Sequence, residues 1–403
     1  MFDDHNSFFD IYLKSYENHL FLKRWEYSLK GGKNAEKQNA LFLSVPGKLR
    51  KYTWLIKLFL PIFLFLYLLS KMIITLFSKV LVGNLIYELD VIDKIYINTN
   101  GLVIPLKKGM LKEDDYVLEY PQKWIDKELI PRLVNILQLI SYKDIWQSFS
   151  ISCLSCCKLL VEKGYCSLIY GFTSFQLCCL YYALNHFSDT VELLTSSQKD
   201  RWVTLIDNAK QNNKSIIQHG TNYIRGGNNM DGLKDFINEC EGKYYLNLPH
   251  KLRTITKIYS FNETEAKYML MGEHENHSIS VIYIGYLTKF SEVNIERKTA
   301  LIIGNAKYYY NIEKHLVSLL TSLNYYVFLK NHPLCDASVY NIYKDNEQFE
   351  LITDRDFNPS TQIVFSYNST LANEYECNGC KVIFYDSFLN DGVIDMRRLK
   401  GLV

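Results

Sequence analysis

From about Asp93 onward, short apolar runs alternate with stretches of helical spacing. Aliphatic, aromatic and β-branched runs predict strands at Lys94–Asn98, Cys166–Tyr170, Val191–Thr195, Ser215–Gln218, Lys257–Ser260 and Ser278–Leu287. Helical spacing and stop signals predict helices over Asp126–Ile140, Trp146–Glu162, a segment capped by Thr173 or Ser174 and ending near Phe187, Gln198–Gln211 and Asn262–Met271. Tyr223–Glu241 is polar and rich in Gly and Asn, and predicts a long loop. After the polar linker Thr288–Lys298 a second set begins. It has strands at Ala300–Asn305, Tyr325–Lys330, Gln362–Tyr367 and Lys381–Tyr385, and helices over Asn311–Leu323 and from Ser369-Thr370 to Asn378-Gly379. Such alternation predicts mostly parallel sheets covered by helices, arranged as two Rossmann-like domains facing a cleft. The expected boundaries are an N-terminal region 1–92, a first domain 93–290 and a second domain 291–403.

The N-terminal region carries the most apolar segment, Trp54–Val82, interrupted by Lys57, Lys71 and Lys79. Its uninterrupted apolar run, Leu58–Leu69, is too short to cross about 30 Å of hydrocarbon as a helix. On one helix the three lysines fall within an arc of roughly 80°. That pattern predicts a helix lying in a membrane interface with its lysines reaching anionic lipid, broken in two if Pro61 interrupts it. A tilted span and a buried core hairpin are the alternatives.

The candidate chemistry sits at predicted strand ends. Tyr325–Lys330 ends in Asn331-His332-Pro333, because proline cannot continue a central strand. Gln362–Tyr367 ends in Asn368-Ser369-Thr370, which starts the helix carrying Glu374. Free N–H groups and the dipole at a helix start favour a phosphate, so His332, as a cationic imidazole, with Ser369 and Thr370 forms an expected phosphate cradle. Gly304 and Asn305 close the first strand of this domain, and Lys330 and Pro333 flank the histidine. In the first domain, Ser215–Gln218 ends in His219-Gly220-Thr221. Glycine lets that turn approach a ligand, and His219 has the pKa range of a general base.

Composition narrows the classes. A net charge of +2 over 403 residues gives no field that calls for nucleic acid. Ten cysteines, several in apolar helical stretches, read as reduced thiols rather than a disulfide framework. The two Cys-x-x-Cys spacings, at Cys153 and Cys377, read as thiols rather than a zinc site. Neither a Walker A nor a GxGxxG sequence is present, which argues against ATPase and dehydrogenase classes.

Gln218-His219-Gly220-Thr221, Lys330-Asn331-His332-Pro333 and Asn368-Ser369-Thr370-x-x-x-Glu374 before the Lys381–Tyr385 strand together resemble GT-B glycosyltransferases of bacterial surface polysaccharides. The resemblance covers about residues 94–390. The nearest sets use CMP-activated acidic sugars: capsule Kdo transferases and sialyltransferase-like enzymes for sialic, pseudaminic or legionaminic acid. CDP-glycerol and ribitol-type polyol-phosphate transferases share similar motifs. The resemblance implies a GT-B-like α/β fold and transfer of an acidic sugar from a CMP donor to a capsule or lipopolysaccharide glycan. It implies donor contacts from Gly304, Asn305, Lys330, His332, Pro333, Asn368, Ser369, Thr370 and Glu374, with His332 and Ser369-Thr370 on the phosphate and Glu374 at the ribose. Gln218, Gly220 and Thr221 would lie on the acceptor side, with His219 as base. The acidic pair before Gly that holds the base in sialyltransferases is matched only in part, at Met230-Asp231-Gly232 and Cys240-Glu241-Gly242. Ala372 replaces the usual glycine of the Asn-Ser-Thr motif. No Asp-x-Asp pair occupies a donor loop, so no obligatory metal and no cofactor is expected. The expected partners are a CMP-sugar, a glycan or lipid-linked glycan acceptor and a membrane surface. The expected site of work is the cytoplasmic face of the bacterial inner membrane, peripheral or monotopic. A non-catalytic GT-B-like membrane scaffold is the alternative of another class.

Overall fold

The structure is a computed structural model. It describes residues 2–29, 34–82, 92–97, 108–111, 115–119, 132–196, 198–218, 220, 224–225, 234–275, 278–286, 288–332, 335–354, 356–367, 369–385, 389–390, 393–394 and 401. The chain divides into two compact units. The first comprises Met1–Asn222, Gly232–Asn238 and Tyr245–Gly285, and the second Tyr223–Asp231, Glu239–Tyr244 and Tyr286–Val403.

The first unit opens with helices α1 (Phe2–Leu29), α2 (Ala40–Ser44) and α3 (Thr53–Val80). Its sheet has strands β1 (Lys94–Ile97), β2 (Tyr116–Glu119), β3 (Arg132–Asn135), β4 (Glu192–Thr195), β5 (Asn213–Ile217), β6 (Lys257–Ser260) and β7 (Ser280–Tyr283). Their order is β7-β6-β5-β4-β1-β2-β3, every pair parallel. Sequence order reverses between β1 and β4, the switch point at which open α/β sheets bind ligands. Helices α4 (Ile136–Leu139), α5 (Tyr142–Lys163), α6 (Ser174–His186), α7 (Arg201–Asp207) and α8 (Glu263–Glu273) complete the unit. Phe8, Phe9 and Tyr12 of α1 and Leu60, Leu64 and Leu68 of α3 belong to the same buried core as Ile151, Phe175 and Leu193.

Several expectations for this unit are corrected. Asp126–Ile140 is not one helix: Leu133 and Val134 pair with β2, and Asn135 then caps a short helix through a capping box with Gln138. Residues 126–131 of that span lie outside the described residues. Cys166–Tyr170 is not a strand. It belongs to a 3₁₀ segment, Tyr165–Thr173, wedged under α3. A side chain at Gly171 would meet Leu64 Cδ2 at 2.7 Å and Cys156 Sγ at 2.8 Å, so glycine permits that close approach. The helix expected over Gln198–Gln211 is only Arg201–Asp207, because Asp200 caps it, accepting from the Trp202 and Val203 amides.

Helix α3 runs unbroken through Pro61. The lost hydrogen bond and clash cost about 3 kcal/mol, which the buried ridge of Leu60, Leu64, Leu68 and Met72 on either side outweighs. That ridge recurs every four residues and shares roughly one 120° arc with the three lysines. The lysine stripe therefore flanks the buried ridge, but only Lys79 is buried; Lys71 is half-exposed and Lys57 exposed. Lys79 is buried and donates to the Leu137 carbonyl, while Lys57 lies 6.0 Å from the Tyr165 ring centre. The opposite face carries Leu58, Ile62, Phe63, Leu66 and Phe77, each more than half exposed. Among the described residues, Arg50–Val80 and Tyr165–His186 are helical stretches long and apolar enough to cross a membrane, and the second is mostly buried.

Buried acids in α8 set a pH dependence. Glu273 is almost fully buried, with Lys199 Nζ 3.2 Å away. Burial pushes its carboxyl up from 4.5 to about 7, against the pull of Lys199, and neighbouring Glu265 adds to the rise. An acid raised on folding supplies stability that is complete below the unfolded value near 4.5 and is lost as pH rises through about 7, here about 3 kcal/mol. Glu273→Gln is expected to flatten that loss. Denaturant midpoints taken from pH 5 to pH 8 check it, and an unchanged slope in the variant would refute the assignment.

The second unit contains strands β8 (Thr299–Gly304), β9 (Tyr326–Asn331), β10 (Phe349–Ile352), β11 (Ile363–Ser366) and β12 (Lys381–Phe384), with helices α9 (Ala306–Ser322) and α10 (Thr370–Cys377). The order is β10-β9-β8-β11-β12, again all parallel. The edge strand β10 was not expected. It is half-exposed with only two buried positions, so its apolar signal is weak. The order reverses between β8 and β11, which puts the second switch point beside Asn305 and Ser369.

Candidate functional site

The second switch point gathers the strand ends that carry the candidate donor residues. β8 ends at Gly304, β9 at Asn331 and β11 at Ser366, on three adjacent parallel strands. The His332 amide donates to the Gly304 carbonyl at 2.8 Å, so the ladder continues one residue past β9 and holds His332 beside the β8 turn. Asn331 Oδ1 accepts from the Ala306 amide at 3.3 Å, and the Cys335 thiol donates to Asn305 Oδ1 at 3.2 Å. These bonds lock the β8–α9 and β9 turns together.

On the other side of the switch point, Ser369 is the N-cap of α10. Its hydroxyl accepts from the Ala372 amide at 3.2 Å and hydrogen-bonds Ser366 Oγ at 3.1 Å. Ser369 thus has an ordinary capping role, and the α10 amides from Thr370 onward provide the anion-binding end of the helix. Glu374 is buried one turn along α10. The Lys330 ammonium donates to the Phe357 carbonyl at 2.7 Å and Asn358 Oδ1 at 2.8 Å, and burial lowers its pKa against the pull of Asp354, Asp356 and Glu374. It ties β9 to the segment before β11. Pro333 and Asn368 lie outside the described residues.

His332 is half-buried, and burial lowers its pKa. This corrects the cationic imidazole expected from sequence. Desolvation favours the neutral form, which has one ring N–H.

A buried acid under the β8 turn was missed. Glu313, on α9, accepts from the Asn305 amide at 2.6 Å, from the Tyr385 hydroxyl at 2.9 Å and from the Tyr340 hydroxyl. Burial raises its pKa. A Cβ at Gly304 would meet Glu313 Oε1 and the Tyr340 hydroxyl at 3.3 Å, so the turn fits glycine closely. A signal was available: Glu313 falls on the helical face of Leu316, Val317 and Leu320, where a core residue is expected. Tyr309 stacks on Tyr367 at 5.7 Å beside the same turn, another pair not singled out from sequence.

In the first unit, Gln218 is fully buried and spends its whole side chain locally. Its carbonyl accepts from Ser260 Oγ at 2.7 Å and the Phe261 amide at 3.0 Å. Its amide donates to the Gly220 carbonyl at 2.7 Å and to Glu265 Oε2 at 2.9 Å. Gln218 therefore clamps the turn after β5, and Gly220 is held by it. His219 and Thr221 lie outside the described residues, as do Met230, Asp231 and Gly232. Glu241 belongs to the second unit.

No family profile and no curated protein matches this chain. Among solved structures, the chain is similar to the UDP-N-acetylglucosamine 2-epimerase from Rickettsia bellii. Identity is 10% over 77% of this chain and 86% of that one, with a TM-score of 0.30. The seven- and five-stranded sheets, each parallel and each with one order reversal, make this a two-unit α/β protein of GT-B-like fold, with a long apolar helix ahead of the first sheet.

Proposed function

We propose that the protein is a glycosyltransferase that uses a nucleotide-activated sugar, and that the donor is a CMP-linked acidic sugar. One observation supports it most. The turns after β8, β9 and β11 bring Asn305, His332 and the start of α10 to one switch point, where open α/β sheets hold phosphates. In the proposed step, an acceptor hydroxyl oxygen attacks the anomeric carbon. The bond from that carbon to the phosphate oxygen breaks with its electron pair, CMP leaves, and the acceptor proton passes to a base, for which His219 is proposed. The α10 amides and the His332 N–H stabilise the charge that develops on the leaving phosphate. Membrane attachment through the outward apolar face of α3 is part of the proposal, since a lipid-linked acceptor would be met at that surface.

Calorimetry with CMP, CDP, UDP and GDP tests the donor. CMP is expected to bind best, and His332→Ala to weaken it roughly 10- to 100-fold, the range of a charge-assisted hydrogen bond. His332 starts neutral, so a bound phosphate is expected to draw a proton onto it. Wild-type affinity then rises relative to His332→Ala as pH falls from 7.5 to 6. Equal CMP affinity in the two proteins across that range would refute the donor site. A preference for CDP would favour polyol-phosphate transfer.

A further inference from the structure

A second charged site lies in the first unit, apart from the switch points. A cavity of about 140 Å³ opens between α1, α2, the Tyr165–Thr173 segment and the first residue of α7. Lys23, His19, Ser44, Tyr170, Thr173 and Arg201 line it, and no aspartate or glutamate does. The half-buried Arg201 guanidinium stacks on the Tyr170 ring at 4.7 Å, donates to the Thr173 hydroxyl and lies 3.4 Å from His19 Nδ1. Among the described residues none of its partners is a carboxylate. The adjacent Asp200 caps α7, accepting from the Trp202 and Val203 amides, and its charge is felt at Tyr170. Among the described residues, Lys23 pairs with Glu26, in an exposed pair at 3.0 Å, and such pairs are worth little.

The local field is positive. Burial first, then Arg201 and Lys23, push the His19 imidazole down to about 3, so it stays neutral and accepts from Arg201 rather than adding charge. A desolvated guanidinium is ordinarily paired with an acid. With three of its five N–H donors still available, Arg201 has the fork that matches an oxyanion. The volume is well below the roughly 300 Å³ at which drug-sized ligand sites begin, but it exceeds the share of several waters. It suits one compact anionic group.

We infer that this cavity is a phosphate-binding site, anchored by Arg201 and Lys23 and completed by the Ser44 hydroxyl, while the Thr173 hydroxyl, donating to the Tyr170 carbonyl at 3.1 Å, holds the Arg201 fork in place. Its ligand is a phosphomonoester, and two sources share that chemistry: a free phosphate compound or the headgroup of an anionic phospholipid. The cavity lies close in sequence to the membrane-facing helix. Ser44 ends α2, and exposed Lys48 and Lys51 follow just before α3 begins. The inference does not depend on the transferase reading.

Titration calorimetry with inorganic phosphate tests it, done in the His332→Ala background so that the switch-point site does not contribute. One saturable site is expected, weakened roughly tenfold or more by Arg201→Gln and several-fold by Lys23→Ala. Lys23 is half-exposed and its loss leaves the fold intact, so the test stands even if Arg201→Gln fails to fold. Flotation with phosphatidylcholine vesicles, with and without phosphatidic acid, separates the sources. Phosphatidic acid-dependent flotation that is lost in Lys23→Ala and competed by phosphate identifies the headgroup. Phosphate binding with no effect of vesicle composition identifies the free compound. No saturable phosphate binding together with no phosphatidic acid preference would overturn the site, as would binding unchanged in both variants.

Discussion

Replacing Glu313 with alanine is expected to destabilise the second unit by about 3–5 kcal/mol. The carboxylate is fully buried and collects three donors, from Asn305, Tyr340 and Tyr385. Alanine leaves the Asn305 amide and the Tyr340 hydroxyl buried and unpaired, each at a cost of about 1–3 kcal/mol, while the Tyr385 hydroxyl keeps the Ile303 carbonyl, and it opens a cavity beneath the β8 turn. Glu313→Gln keeps one acceptor oxygen and sets an amide against the other donors, so its cost falls between wild type and alanine. Tyr385→Phe is milder still, because its hydroxyl also reaches the Ile303 carbonyl at 3.1 Å and only that pairing and one donor are lost. Denaturant unfolding measures the series. The Asn305 amide is tethered to this acid, so nucleotide binding is expected to weaken in the folded glutamine variant as well. A loss under about 1 kcal/mol for Glu313→Ala would mean that the network does not hold the turn.

That network marks where sequence reading stopped. Strands with dense apolar signal were legible: β6, β8, β9, β11 and β12 fall within a residue or two of their expected positions, most plainly β8 and β11, which are buried along their whole length and so read as unbroken apolar runs. The convergence of the β8, β9 and β11 turns follows from those strands and the order reversal. What failed depended on partners distant in sequence. Cys166–Tyr170 has strand-like composition, yet no strand lies alongside it, and its packing under α3 decides the outcome. Leu133 and Val134 carry helical spacing but find a parallel neighbour in β2. The tie of the Lys330 ammonium to Phe357 and Asn358, 27 and 28 residues away, was likewise not legible. The charge of His332 also needed its surroundings, since burial rather than residue type sets it.

The lysines of α3 show the same dependence with the largest functional consequence. Their arc predicts a polar stripe, but that stripe shares its side with the buried leucine ridge, and this leaves the outer face of a helix about 42 Å long apolar apart from Ser70. On the membrane reading, a triple substitution Ile62→Glu, Phe63→Glu and Leu66→Glu is expected to abolish vesicle binding. Each side chain contributes about 1.5–3 kcal/mol when moved out of water, so the three supply at least 4–5 kcal/mol, or more than a thousandfold in partitioning. Folding is expected to be unaffected, because all three are already more than half exposed. Leu64→Glu is the opposite case: Leu64 is buried against Gly171, so it is expected to unfold the first unit. Exposed Lys48 and Lys51 add roughly 1 kcal/mol each on anionic lipid, so flotation of the wild type weakens as salt rises. Flotation of the triple variant equal to wild type would show that this face does not meet the bilayer. A wild-type dimer in lipid-free solution that the triple variant converts to monomer would assign the face to a second copy of the chain instead.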